Sequence, residues 1–247
     1  MRRLVLFAAM GLAACANQQA RDYGEESNAQ ESARIHTELG AGYYAQNKMA
    51  IALDEFTHAA KADPSYAQAY NGLGLVYGAL GQDAKAEENF KKSLALEPNN
   101  SQTHNNYGSF LCSRNRVEAS IGEFLEAVKN PLYTTPGVAY LNAGKCALRM
   151  QDVNNAETYL QKALQLQPRL YQAAYYLAKV HFERGQNQLA TNYLQYAMQG
   201  ESTAEMLWLG IRLARLTGDK DTEASYALAL RKQYPNSDET KALLSGR

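Results

Sequence analysis

The chain repeats itself every 34 residues. Six residues at set positions return one period later: Leu39, Gly40, Tyr43, Ala52, Phe56 and Pro64 return as Leu73, Gly74, Tyr77, Ala86, Phe90 and Pro98. A fixed period of this length, with large, small and aromatic residues at constant positions, is typical of stacked helical hairpins. The period therefore predicts an all-α protein.

Small residues recur where two helices of a hairpin must lie close together. Glycine inside a helix costs about 1 kcal/mol relative to alanine, so four glycines at the same repeat position indicate a packing reason. Proline then ends the second helix, because it lacks the N–H group and clashes with the preceding turn. The glycines are Gly40, Gly74, Gly108 and Gly144, and the prolines are Pro64, Pro98 and Pro168.

This pattern resembles the tetratricopeptide repeat and implies a right-handed superhelical solenoid of six helix-turn-helix repeats. The register slips by two residues after Pro131 and Pro136, and in the last repeat Trp208, Ala224 and Leu228 hold it. We expect one array without a second core, followed by a C-terminal tail at 239–247. The predicted repeats are 33–66, 67–100, 101–134, 137–170, 171–204 and 205–238.

The N-terminus has the plan of a secretory signal. Two arginines precede a short apolar run, and that run is too short for a bilayer, which needs about 20 apolar residues. The sequence Leu12-Ala13-Ala14-Cys15 resembles a bacterial lipobox. The resemblance implies that residues 1–14 are removed and that Cys15 is lipidated. The alternative is an ordinary signal peptide with an incidental cysteine.

Residues 15–32 are polar and rich in Gln, Glu, Asn and Ser. Such a segment cannot bury enough apolar surface to fold, so it predicts a flexible, lipidated tether. Ala16 follows the cysteine, where aspartate would indicate retention in the inner membrane. By resemblance to sorted lipoproteins, we expect a lipid-anchored protein on the periplasmic face of the outer membrane.

Cys112 and Cys146 lie late in the first helices of two neighbouring repeats. First helices of adjacent repeats pack side by side, and the periplasm permits disulfides. The sequence favours a disulfide between them. The alternative is two separate buried thiols, since free cysteine is a common small core residue.

Composition and motifs argue against several function classes. The formal net charge is zero and no basic tract occurs, so a nucleic-acid partner is not expected. The four histidines are scattered, and no zinc spacing, phosphate loop or serine elbow is present. We therefore expect no enzyme activity, no metal, no cofactor and no small-molecule substrate.

The remaining function is protein binding, because the first helices of stacked repeats line a concave groove. Asparagine with interleaved apolar groups suits an extended peptide, whose backbone needs hydrogen-bond partners. Tyr175, Lys179 and Phe182 would continue the groove in the fifth repeat. The predicted groove residues of the first four repeats are Thr37, Ala41, Tyr44, Asn71, Leu75, Gly78, Asn105, Ser109, Leu141 and Lys145.

Three segments are more specific than the repeat positions: 105–112, 209–215 and 224–235. They resemble the type IV pilus biogenesis lipoproteins, the pilotins of the PilF/PilW family. The resemblance implies an outer-membrane lipoprotein scaffold that binds the type IV pilus secretin and promotes its localisation, multimer assembly or stability. The alternative is a tetratricopeptide lipoprotein that serves as an adaptor for cell-wall enzymes or barrel assembly.

Overall fold

The computed structural model describes residues 28–246, which form thirteen α-helices and no strand. Helix α1 covers residues 28–45. The remaining helices are α2 (Met49–Ala62), α3 (Ala67–Ala79), α4 (Asp83–Leu96), α5 (Ser101–Ser113), α6 (Val117–Ala127), α7 (Pro136–Arg149), α8 (Val153–Leu166), α9 (Tyr171–Glu183), α10 (Asn187–Ala197), α11 (Ala204–Thr217), α12 (Lys220–Gln233) and α13 (Asp238–Leu244). The all-α tetratricopeptide-repeat fold is confirmed.

The chain divides into two compact units, and the division falls between Phe110 and Leu111, inside α5. The first unit contains α1 to α4 and most of α5, and the second contains the end of α5 and all later helices. Within residues 28–246, no helix combines the length and the apolar composition that crossing a bilayer requires.

Glycine contacts organise the core of the first unit. Phe56 of α2 is 2% exposed and packs against Gly40 of α1 and Gly72 of α3. A Cβ atom on Gly40 would lie 2.9 Å from the Phe56 ring, and one on Gly72 would lie 2.2 Å from it. Phe90 of α4 makes the same contact with Gly74, at 2.8 Å. The sequence-based interpretation that recurring glycines permit close approach is confirmed for Gly40 and Gly74.

Substituting two glycines of α1 distinguishes the effect of packing on stability from the effect of helix propensity. We expect Gly40→Ala to lower the free energy of unfolding by about 1–2 kcal/mol, because overpacking against Phe56 exceeds the gain in helix propensity. Gly42 has no atom within 4 Å of an added Cβ, so Gly42→Ala is expected to raise stability by up to about 1 kcal/mol. Urea unfolding of both variants checks this. An equal change in both would contradict the packing explanation.

The second unit contains a disulfide between α5 and α7. Cys112 and Cys146 are bonded, with their Cα atoms 5.9 Å apart. The surrounding residues are apolar and include Val117 and Phe124 of α6. The Ser120 hydroxyl of α6 donates a hydrogen bond of 3.4 Å to Cys146 Sγ. The bond therefore lies in the core that α5, α6 and α7 share.

The disulfide closes a loop with a sequence separation of 34 residues. In the loop-entropy model, a loop of this length stabilises the folded state by about 4 kcal/mol. We expect the double variant Cys112→Ala/Cys146→Ala to lose stability of this order in chemical denaturation. Mass spectrometry of the alkylated, non-reduced protein tests the bond itself. Two alkylated thiols on the folded protein would contradict it.

The predicted flexible tether is helical where the structure describes it. The predicted tether at 15–32 is wrong for residues 28–32, which belong to α1. Glu31 accepts a hydrogen bond of 2.8 Å from Arg34 one turn later, which supports that helical turn. The signal peptide at 1–14, Cys15 and the rest of the tether lie outside the described residues.

Most of the predicted C-terminal tail at 239–247 forms helix α13. The Ser237 hydroxyl caps this helix by accepting a hydrogen bond of 3.1 Å from the Thr240 backbone N–H. Thr240 is 2% exposed, and its hydroxyl donates to the Tyr234 carbonyl oxygen at 2.7 Å. Leu243 packs against the buried Leu230 of α12. Capping and apolar packing therefore fix this end.

The register predicted for the last repeat is also wrong. Ala224 is exposed and Leu228 is 61% exposed, so neither packs against the first helix of its hairpin. The contact belongs instead to Tyr226, whose ring would lie 2.7 Å from a Cβ on Gly210. Gly210 lies in α11, and the sequence-based alignment passed over it in favour of Trp208.

Candidate protein-binding surfaces

In the first unit, most predicted groove residues are accessible on the first helices α1, α3 and α5. Asn105 is the exception, since only 6% of it is exposed, so its prediction as a partner contact is wrong. Ala41 and Ser109 are exposed, and the half-buried residues are Thr37, Tyr44, Asn71, Leu75 and Gly78.

Asn71, Gln102 and Asn106 form a row of amides across α3 and α5. The Asn106 side chain donates a hydrogen bond of 3.1 Å to Asn71 Oδ1. Gln102 Nε2 donates to Asn106 Oδ1, also at 3.1 Å. We call these three residues the amide row. Side-chain amides both donate and accept, so the amide row matches the hydrogen-bonding groups of an extended peptide backbone.

In the second unit, one of the two predicted groove residues is buried. Leu141 of α7 is 3% exposed and packs with Leu160 and Leu177, so its prediction as a groove residue is wrong. It faces α8 and α9 instead of solvent. Lys145, one helical turn later, is half-buried, and its Nζ atom lies 5.7 Å from the centre of the Tyr176 ring of α9.

Basic and aromatic side chains alternate beside Lys145. Lys179 Nζ lies 6.0 Å from the centre of the Tyr175 ring and 5.9 Å from that of Tyr176. The two rings are 5.4 Å apart. The Arg212 guanidinium lies 4.4 Å from the centre of the Phe182 ring. We call Lys145, Tyr175, Tyr176, Lys179, Phe182 and Arg212 the basic-aromatic surface.

The two tyrosines stay protonated to a higher pH than an ordinary tyrosine, because the pKa of each is raised. Burial raises the pKa of both Tyr175 and Tyr176, and the nearby carboxylate of Glu205 raises each further because it disfavours a second negative charge. Both phenols are therefore hydrogen-bond donors near neutral pH. Together with the lysines, arginine and ring faces, they provide contacts for acidic and apolar side chains of a polypeptide.

Sequence reasoning found part of this surface. The period carries Lys145 to Lys179, and the fifth-repeat prediction included Tyr175 and Phe182. Arg212 was missed because it lies 33 residues after Lys179, one short of the period. Tyr176 was missed because it is adjacent to a predicted position, and its contact with Lys145 depends on the packing of α7 on α9.

Three potential metal ligands also come together, although the sequence analysis expected none. One ligand atom from each of His36, Glu55 and His58 lies within 4.8 Å of the other two. The other histidines have different surroundings. His181 is 4% exposed and stacks on the Tyr193 ring at 5.2 Å, and His104 Nε2 lies 2.9 Å from the Pro98 carbonyl oxygen.

Comparison with known proteins identifies relatives over almost the whole chain. The tetratricopeptide repeat family matches residues 67–100 and 138–170. The type IV pilus assembly protein PilF of Pseudomonas aeruginosa is 32% identical over 236 residues, which cover 95% of this chain and 94% of that protein.

Two solved structures are similar in both fold and sequence. The structure of Pseudomonas aeruginosa PilF has a TM-score of 0.79 at 31% identity and covers 89% of this chain and 100% of its own. PilW, described as a widely conserved type IV pilus biogenesis factor, has a TM-score of 0.76 at 31% identity. That match covers 86% of this chain and 98% of PilW.

Proposed function

The chain belongs to the PilF/PilW family of tetratricopeptide-repeat proteins of type IV pilus biogenesis, and we propose that it is the pilotin of its system. In this proposal it is an outer-membrane lipoprotein that binds the type IV pilus secretin. It promotes the localisation, multimer assembly or stability of that secretin. The family is one of repeat scaffolds and not an enzyme class.

The observation that carries the proposal is the similarity to PilF over 95% of this chain, since it extends beyond the generic repeat positions. The surfaces of the two units support it. The amide row suits peptide backbone, and the basic-aromatic surface suits acidic and apolar side chains. A scaffold with these contacts holds another polypeptide and needs no reactive group.

The lipid expected on Cys15 would hold the scaffold at the membrane where the secretin subunits are bound. Acyl chains contribute about 0.8 kcal/mol per buried CH2, so several chains on one residue hold the scaffold at a membrane. Helix α1 begins at residue 28. Residues 16–27 would span at most about 40 Å if fully extended. Such tethering raises the effective concentration of the scaffold near membrane-bound subunits, so weak binding suffices.

Charge reversal tests the basic-aromatic surface. We expect Lys179→Glu to weaken binding of purified secretin subunits about tenfold or more, because a carboxylate there repels acidic partner groups and removes the cation–π contacts. Lys162→Glu is the matched control. Lys162 also lies over a tyrosine ring, that of Tyr140 at 5.4 Å, but on the second helix α8. Calorimetry of both variants checks the difference, and equal affinities would place binding elsewhere.

Deletion and delipidation test the cellular role. Deleting the gene should reduce secretin multimers in membranes run unboiled on a gel, and should reduce piliation. The Cys15→Ala variant should still bind secretin subunits but leave them in the inner membrane, because the lipid no longer sorts the complex. Membrane fractionation measures this.

Two results would count against the proposal. Normal secretin multimers and pili without the gene would refute it. Crosslinking that recovers peptidoglycan hydrolases or barrel-assembly proteins in place of secretin would favour the alternative adaptor function.

A further inference from the structure

The fold brings two histidines and a glutamate together on the first hairpin. His36 lies in α1, and Glu55 and His58 lie in α2. His36 Nδ1 is 2.7 Å from Glu55 Oε2. The rings of His36 and His58 are 5.3 Å apart between centres. All three residues belong to the first unit.

Two imidazole nitrogens and one carboxylate favour some metal ions over others. Imidazole nitrogen suits zinc and its neighbours in the first transition row, whereas calcium and magnesium prefer sites made of oxygen. Two imidazoles with one carboxylate are a common three-residue ligand set for Zn²⁺. We propose that His36, Glu55 and His58 bind one Zn²⁺ ion, which ties α1 to α2.

The observed geometry is close to what a tetrahedral ion requires. With zinc–nitrogen bonds of 2.0–2.1 Å, two ligand atoms on one ion lie about 3.3 Å apart, and two imidazole centres lie about 5 Å apart. The ring centres of His36 and His58 are already 5.3 Å apart. The contact of His36 with Glu55 has to open from 2.7 Å by about 0.6 Å, so that the metal replaces the hydrogen-bonded proton.

The mobility that binding needs is available on the solvent side. The His58 side chain is 47% exposed, so it can rotate toward the other two ligands without disturbing the core. The Glu55 and His36 side chains are 18% and 33% exposed, and their hydrogen bond holds both in place. Asp54 Oδ1 lies 4.0 Å from His58 Nε2 and adds negative charge beside the site.

The test measures zinc binding by the full chain without a polyhistidine tag, in a Cys15→Ser background that removes the cysteine outside the disulfide. Calorimetry with Zn²⁺ should give one site per chain. His36→Gln, Glu55→Gln and His58→Gln should each weaken it at least tenfold. His104→Gln is the matched control, because it removes a histidine elsewhere in the same unit and should leave affinity unchanged. Circular dichroism checks that each variant is folded.

A second measurement uses the unsubstituted histidines. In NMR spectra of the imidazole nitrogens, one equivalent of Zn²⁺ should shift the signals of His36 and His58 and leave those of His104 and His181 in place. A chelator should reverse the shifts. The proposal would be overturned by any of three results: no zinc binding by the parent chain, binding by the His36 and His58 variants as tight as that of the parent, or shifted signals at all four histidines.

Discussion

A large side chain resting on a glycine is the contact on which the rest of this structure depends. Four hairpins contain it, and in each the glycine and the large residue are sixteen positions apart in the sequence. The pairs are Gly40 with Phe56, Gly74 with Phe90, Gly144 with Leu160, and Gly210 with Tyr226. A Cβ atom at any of these glycines would lie 2.7–2.9 Å from the partner side chain. The two helices of a hairpin can approach this closely only because that Cβ atom is missing. This close approach determines how the other residues of the two helices pack.

The first helices also carry residues that take no part in core packing, and these are available for binding. Such residues need not be apolar, and the same position returns one period later on the next first helix. Lys145 and Lys179 are such a pair, and both contact the ring of Tyr176. Repetition thus builds a surface in which basic and aromatic groups from α7, α9 and α11 are interleaved, although no single helix carries a recognisable motif.

The fold could be predicted from the sequence because the period is itself a packing rule. The binding surface could be predicted only in part. Leu141 and Asn105 occupy groove positions of an ideal repeat, yet both are buried. The contact of the last hairpin lies at Tyr226, two residues before the predicted Leu228, because the chain is two residues shorter there than the period requires. The cluster of His36, Glu55 and His58 had no contiguous signal, since its ligands come from two helices.

The disulfide and the N-terminal sequence both bear on the proposed cellular location of the protein. Cys112 and Cys146 join α5 to α7 around the stretch where the register slips and the connection after α6 lengthens, so the bond holds packing that the period alone does not specify. Such bonds persist in oxidising compartments and are rare in the cytosol. A lipobox addresses a chain to the oxidising side of the membrane. Both features therefore support the proposed location, and they can be removed separately, the lipid site by Cys15→Ala and the disulfide by Cys112→Ala/Cys146→Ala.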